Sequence, residues 1–178
     1  MHLSTVIVVK GPFKGGDILV ENRFIETVKR NSQRLFVIAF SYLKNKDDAE
    51  DALQNTFLKL WKSNVEFSDD ESVDKWLTRV LVNGCKNFFN LSFRQNKPIE
   101  EVYDISAFDE YFNLDLYNAV MSLNKKERLC VILFYYDDLP IKEISQTTGI
   151  KESTVKSLLK RSREKLKQIL GDEWIYEQ

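Results

Sequence analysis

Ser153, Thr154, Ser157, Lys160 and Arg161 share one face of a helical wheel, with Lys156, Arg163 and Lys167 beside them. Hydroxyls and amines at that spacing can reach base edges, while the cations neutralise phosphates. Opposite them run Val155, Leu159, Leu166 and Ile169, which predict the core face of a helix from about Glu152 to Leu170. Immediately upstream, Pro140 at a first helical position starts a short helix to Thr147, with Ile141 and Ile144 inward. Gly149 supplies a tight turn and Ile150 plugs the corner. Short helix, glycine turn, longer helix is the helix-turn-helix pattern, whose second helix enters the major groove. That spacing, with a net charge of +5 over residues 140–170, favours DNA binding over a solvated helix in an ordinary bundle.

Two further surfaces are not explained by a core. On a helix from Asp47 to Trp61, Leu58 points away from the apolar stripe of Ala49, Leu53, Thr56 and Leu60. Asp51 and Gln54 lie near it, with Asp47 and Trp61 beside them. An outward leucine framed by a carboxylate, an amide and a tryptophan suits a protein-binding patch; packing on another helix of the same domain is the alternative. On the next helix, Lys75, Arg79, Asn83, Lys86 and Asn90 form one stripe suited to phosphate and base contact, or simply to a solvated face.

The chemistry left out is as informative. His2 is the only histidine, so no Ser-His-Asp triad, Cys-His pair or His-ligated zinc is expected, and no metal or cofactor site suggests itself. Cys85 and Cys130 lack metal spacing and read as reduced core thiols. The longest apolar run, Leu129 to Tyr136, is far below the ~20 residues that span a bilayer. The first four residues are not a basic signal-peptide start, so a cytoplasmic location without membrane insertion is expected.

The elements that must position these surfaces are helices. Of six glycines among 178 residues, three lie within the first 16, and only three prolines occur. A chain so poor in turn residues is not a many-turned β protein. Net charge is −1, but residues 1–95 carry +2, 96–139 carry −5 and 171–178 carry −3, so an acidic middle precedes the basic segment. Phe24, Val28, Leu35, Ala39 and Tyr42 predict a first helix from Asn22. Asn45 looks like the N-cap of the second, with Asp47, Asp48 and Glu50 in its first turn. Residues 62–71 read as a loop. Ser72 can cap a third helix to about Arg94, with Val73, Leu77, Val80, Gly84 and Phe88 inward. Residues 95–113, with Pro98 and five acidic groups, read as a linker with short helical pieces. Helices from Leu114 to Leu123 and from Asn124 to Tyr136 follow.

The run from Asp48 to Trp61 resembles the core-polymerase-binding helix of bacterial sigma factors of the extracytoplasmic-function type, in the sigma-70 family. Lys75-Trp76-Leu77-Thr78-Arg79-Val80-Leu81-Val82-Asn83 resembles that family's minus-ten helix. Thr154-Val155-Lys156-Ser157, with Arg161 and Arg163, resembles its minus-thirty-five recognition helix. The three occur in family order over about residues 21–170.

The resemblance implies an all-α fold of two small domains, about 21–95 and 114–171, joined by an acidic linker at 96–113 and followed by a tail at 172–178. It implies a non-enzymatic specificity subunit. Asp47, Asp51, Gln54, Leu58 and Trp61 would meet the β′ clamp helices of core RNA polymerase. Lys62 and Asn64, in the base-capturing loop, with Lys75, Trp76, Arg79, Asn83 and Lys86 would meet the minus-ten element of promoter DNA. Ser153, Thr154, Lys156, Ser157, Lys160, Arg161 and Arg163 would read the minus-thirty-five element, and the second domain would bind the β flap. The linker would thread the RNA channel. An anti-sigma partner is common in the family, and no residue here identifies one. A two-domain helix-turn-helix regulator acting without polymerase is the competing reading.

Departures from the pattern are specific. Leu158 stands where the family often has a third cation, at the edge of the core stripe. Lys151 cannot cap as a serine would, so Ser153 is expected to cap one turn late. Residues 1–20 match nothing in the family, and Val6 to Val9 reads as a strand ended by Gly11-Pro12. Lys14-Gly15-Gly16-Asp17 is what AAA-GGA-GGT-GAT encodes, a near-ideal ribosome-binding sequence, and Val20 can be a GTG start. Two readings stand for this segment: untranslated leader read in frame, with the natural start at residue 20, or a real extension such as a β-hairpin packing little on the helices.

Overall fold

Asn45 closes one helix and opens another. Lys44 turns the chain with a positive φ of 56°, its amide still bonded to the Phe40 carbonyl at 2.8 Å. The Asn45 side chain then accepts from the Asp48 amide at 2.9 Å, and Asp47 and Asp48 sit in the positive first turn. This corner is part of a computed structural model that describes residues 18–65, 67–94 and 114–171.

The helices are α1 (Ile18–Leu43), α2 (Lys46–Lys62), α3 (Asp70–Arg94), α4 (Leu114–Ser122), α5 (Lys125–Val131), α6 (Ile141–Thr148) and α7 (Glu152–Leu170). A π-helical stretch, Ile132–Tyr136, continues α5. No strand element occurs among the described residues, and the fold is all-α. α1, α2 and α3 pack on one another; α7 packs on both α5 and α6, α6 also meets the π-helical stretch, and α4 is laid on α5 and α7. Leu35, Ile38, Phe40, Leu77 and Leu81 lie fully buried in the first group; Leu133, Ile144 and Val155 do so in the second. Each such side chain contributes about 1.5–3 kcal/mol by leaving water.

The two groups also touch, α1 against α5 and the π-helical stretch, and α3 against α6. Arg128 of α5 reaches across and donates through Nε to the Ser41 carbonyl of α1.

Several expectations are corrected. α1 begins at Ile18, not Asn22. α3 begins at Asp70, because Asp69 rather than Ser72 is the cap: its Oδ1 accepts from the Ser72 amide at 2.7 Å. Hydrogen bonds from Ser72, side chain then amide, and from Ser68 hold the Asp69 carboxyl below its usual range. The inward phase of α3 is shifted: Val73, Leu77, Thr78, Leu81, Val82 and Cys85 are buried, while Val80, Gly84 and Phe88 are half-buried. The cause is that α3 is covered on two sides, by α1 and α2 and by α6. The helix expected over Asn124 to Tyr136 is interrupted by the π-helical stretch, where adjacent Ile132 and Leu133 are both buried. Pro140 is the N-cap of α6, one residue before the first helical position. Ile169 is 55% exposed, because the 19-residue α7 outruns the nine-residue α4 beside it. The expected N-terminal strand, the leader up to residue 17, the acidic linker at 96–113 and the tail at 172–178 lie outside the described residues.

Candidate nucleic-acid and polymerase interfaces

The turn between α6 and α7 is held by its own backbone. Gly149 takes φ 70°, a left-handed conformation that favours glycine, and its amide bonds the Ser145 carbonyl at 2.8 Å. The Thr148 hydroxyl donates to the Ile144 carbonyl at 2.6 Å and accepts from the Ile150 amide at 3.3 Å. α7 then starts at Glu152 from Lys151, which offers no side-chain cap. The Lys151 carbonyl instead accepts from the Thr154 and Val155 amides, each at 2.9 Å. The expected late cap at Ser153 is therefore corrected: Ser153 lies inside the first turn.

Val155, Leu158, Leu159 and Ser162 seat α7 on its domain. Ser153, Thr154, Lys156, Ser157, Lys160, Arg161 and Arg163 are all exposed on the remaining surface. Ser157 donates to the Ser153 carbonyl at 2.9 Å, leaving its oxygen able to accept. Leu158 is buried, so a base contact from that position is ruled out by packing. The buried Glu127 carboxylate fixes the helix further along, taking Lys165 at 2.8 Å and 3.0 Å. The result is a helix carrying cations and hydroxyls on its open face.

On α2, Asp47, Asp51, Gln54 and Leu58 are exposed at helical i, i+4, i+7 and i+11 spacing, so they share one face. Leu58 is 51% exposed, while Ala49, Ala52, Thr56, Phe57 and Leu60 hold the other side in the core. Trp61 is only half-buried, and its ring meets Phe24 edge-on at 4.8 Å between centroids. The outward leucine is thus a surface feature of α2.

The loop after α2 starts at Ser63, whose hydroxyl bonds the Leu60 carbonyl at 2.9 Å. Lys62 and Asn64 are exposed. Buried Phe67 anchors the far end of the loop, 5.7 Å from the Trp76 ring in an edge-on contact. Trp76 is consequently half-buried, whereas Arg79 and Asn83 are exposed. Lys75 and Lys86 are engaged: Lys75 pairs with Glu143 and Glu71, each at 2.8 Å, and Lys86 donates to the Thr148 carbonyl at 2.7 Å. Hydrogen bonds donated to Glu143, then to Glu71, raise the Lys75 ammonium above its usual range, and burial lowers that of Lys86. The Asn90 side chain lies outside the described residues. Between α3 and α6 lies a cleft of about 370 Å³ lined by Phe67, Lys75, Trp76, Arg79, Glu143 and Gln146.

Sequence reasoning missed the residues that join the two domains. Arg34 of α1 bonds Asp137, and both meet the Thr78 hydroxyl, at 3.1 Å from Arg34 and 3.2 Å from Asp137. Asn31 and Asp74 complete the cluster, with Asn31 donating to Asp74 at 2.9 Å and accepting from Arg34 at 2.7 Å. The matched four-residue spacing of Arg30 and Arg34 on α1 and of Asp70 and Asp74 on α3 signals only the α1–α3 contact within the first domain, where Arg30 pairs with both aspartates, and gives no sign of Asp137.

Residues 27–94 match sigma-70 region 2, and residues 113–166 match sigma-70 region 4. The RNA polymerase sigma factor SigV of Bacillus subtilis (strain 168) is 28% identical over 141 residues, covering 78% of this chain and 85% of that protein. SigZ of the same organism is 30% identical over 130 residues, covering 68% and 72%. The ECF sigma factor SigM of Mycobacterium tuberculosis is 27% identical over 151 residues, covering 83% and 77%. The fold is shared with the sigma factor RpoE of Bartonella quintana, solved with the anti-sigma factor NepR, at a TM-score of 0.59 and 23% identity over 84% of this chain and 95% of that one. It is likewise shared with CnrH, solved with the cytosolic domain of CnrY, at a TM-score of 0.58 and 20% identity over 84% and 88%. The chain belongs to the sigma-70 family, as a factor of the extracytoplasmic-function type that directs transcription initiation by RNA polymerase.

Proposed function

We propose that the chain divides its work among three surfaces, within domains at about 21–95 and 114–171. The α2 face of Asp47, Asp51, Gln54 and Leu58, with Trp61 at its end, docks on the β′ clamp helices of core polymerase. Lys62 and Asn64 in the loop, with Lys75, Trp76, Arg79, Asn83 and Lys86 on α3, engage the minus-ten element. Unstacking a base costs a few kcal/mol, so capture of a flipped base by the loop can itself select sequence. Ser153, Thr154, Lys156, Ser157, Lys160, Arg161 and Arg163 on α7 read the minus-thirty-five element, while the second domain meets the β flap.

The observation that carries this reading is the half-exposed Leu58, framed by Asp51 and Gln54, on a chain that also holds a helix-turn-helix. A regulator acting on DNA alone has no use for that patch. The chain works as a non-enzymatic subunit in the cytoplasm; no helix among the described residues is long and apolar enough to cross a membrane. The solved relatives RpoE and CnrH were captured with NepR and the cytosolic domain of CnrY, which supports an inhibitory partner of the same kind here. Adding the purified chain to core RNA polymerase on a pool of genomic fragments tests the reading. Discrete promoter-directed transcripts are expected. Tight sequence-specific DNA binding by the free chain, without such transcripts, would favour the polymerase-independent regulator.

A further inference from the structure

The cleft of about 370 Å³ between α3 and α6 falls within the roughly 300–1,000 Å³ of small-molecule sites, which gather at domain contacts and use a few convergent polar groups. Each helix lends it two side chains one turn apart. From α3 come Trp76 and Arg79, and from α6 come Glu143 and Gln146; each pair has i, i+3 spacing and so shares one helix face. Phe67 fixes the Trp76 ring by the edge-on contact at 5.7 Å, and the ring stays partly open to solvent. A fixed, part-exposed indole is a stacking platform for a flat heterocycle.

The polar groups differ in what they leave available. Lys75 is engaged by Glu143 and Glu71, at 2.8 Å each. Arg79 is exposed and makes no ion pair or hydrogen bond among the described residues, so its planar fork of donors can take a phosphate. Glu143 binds Lys75 through Oε1 and leaves Oε2 as an acceptor. Gln146 is exposed, and its amide, which both donates and accepts, makes no bond among the described residues.

These four groups match one ligand class. Guanine presents N1–H and N2–H together on one edge with O6 beside them, a pattern that a carboxylate and an amide donor satisfy. Adenine puts an unprotonated N1 at that place, an acceptor facing an acceptor. The geometry points to a guanine-nucleotide site: the base stacks on Trp76 and bonds Glu143 and Gln146, and the phosphate pairs with Arg79. No bond of the ligand is made or broken there. The site goes beyond promoter recognition and requires no role for α3 in DNA contact.

Isothermal titration calorimetry of the purified full chain with guanosine monophosphate, adenosine monophosphate, guanosine and inorganic phosphate tests each part. Guanosine monophosphate should bind one to one, quench tryptophan fluorescence and raise the melting temperature with its concentration. Adenosine monophosphate should bind at least about tenfold more weakly, and inorganic phosphate alone should not saturate. Arg79→Met, a surface change, should weaken guanosine monophosphate at least about tenfold and leave guanosine unchanged, because only the phosphate meets the guanidinium. Glu143→Gln should erase the preference for guanine over adenine. Circular dichroism checks that both variants keep their helices. No binding up to about 1 mM, equal affinity for the two nucleotides, or an Arg79→Met affinity equal to wild type would overturn the site. Binding of a single-stranded oligonucleotide but of no mononucleotide would overturn it too. A chain that binds guanosine monophosphate yet directs no promoter-specific transcripts with core polymerase would overturn the functional reading and uphold the site.

Discussion

Arg128, buried in α5, donates to the carbonyl of Ser41 in α1 while also bonding the carbonyls of Met121 and Leu123 at 3.1 Å and 2.6 Å. One guanidinium therefore closes the turn between α4 and α5 and joins the two domains. Its planar fork suits three carbonyls at once, and a lysine ammonium on a single flexible stem does not match it. Arg128→Lys is expected to lower unfolding stability by about 2–4 kcal/mol, since hydrogen bonds to charged groups are each worth roughly 1.5–3 kcal/mol. Urea denaturation followed by circular dichroism measures this. A loss below about 1 kcal/mol would show that the three carbonyls find other partners.

Leu58 gives the opposite kind of prediction. It is exposed, so Leu58→Asp should leave the melting temperature within about 2 °C of wild type, as surface substitutions do. Core polymerase binding should weaken by about 2 kcal/mol or more, the loss expected when an interface anchor is replaced by a charge. Fluorescence anisotropy with labelled chain and unlabelled core gives the affinity. Equal affinities would remove Leu58 from the interface.

What the sequence reveals of this molecule divides by range. α2 was legible almost to the residue because Asn45 and the acids after it are a local cap, and the α6–α7 turn because Pro140 and Gly149 constrain the backbone themselves. The π-helical stretch was not, because the run Leu129 to Leu133 is buried on every side and has no period to read. The phase of α3 slipped for a related reason: a helix covered on two sides has no single stripe. The domain contact was invisible because Arg34 and Asp137 lie 103 residues apart and each is an ordinary polar residue in its local context. The exposed candidates on α2 and α7 were found because an unpartnered face departs from the local pattern, whereas the engagement of Lys75 and Lys86 depends on the distant α6.

The recognition helix separates two roles. Arg161 is exposed on the open face of α7, one position past Lys160. If it contacts phosphate, Arg161→Ala in the assembled holoenzyme should weaken promoter binding on all sequences and reduce the salt slope by about one. If it reads a base, the loss should be about 1–3 kcal/mol and confined to one upstream position. Binding titrations at several salt concentrations, on a promoter and its single-position variants, distinguish the two. An unchanged affinity and slope would take Arg161 out of the site.

Lys125 makes stability depend on pH. Its ammonium lies 4.3 Å from the centre of the Tyr42 ring, half-buried, and burial followed by the charge of Arg128 pushes it down from 10.5 to about 8. The neighbouring Cys85 thiol is pushed up to about 12 by burial, and Tyr42 is raised for the same reason, so both stay neutral through the range that matters. Between pH 8 and 10.5 the unfolded chain holds a proton on this lysine that the folded chain releases. More protons on the unfolded state means stability rises with pH in that window. Lys125→Met lacks the titration, so from pH 7.5 to 9.5 the wild type should gain on it by about 1 kcal/mol, reduced from the full shift because the group is half in water. That corresponds to about 2–4 °C in melting temperature for a chain of this size. The comparison is between two proteins at each pH, which cancels the remaining titrating groups. A constant gap across the range would show that Lys125 keeps its proton in the fold, with the Tyr42 ring compensating for the lost water.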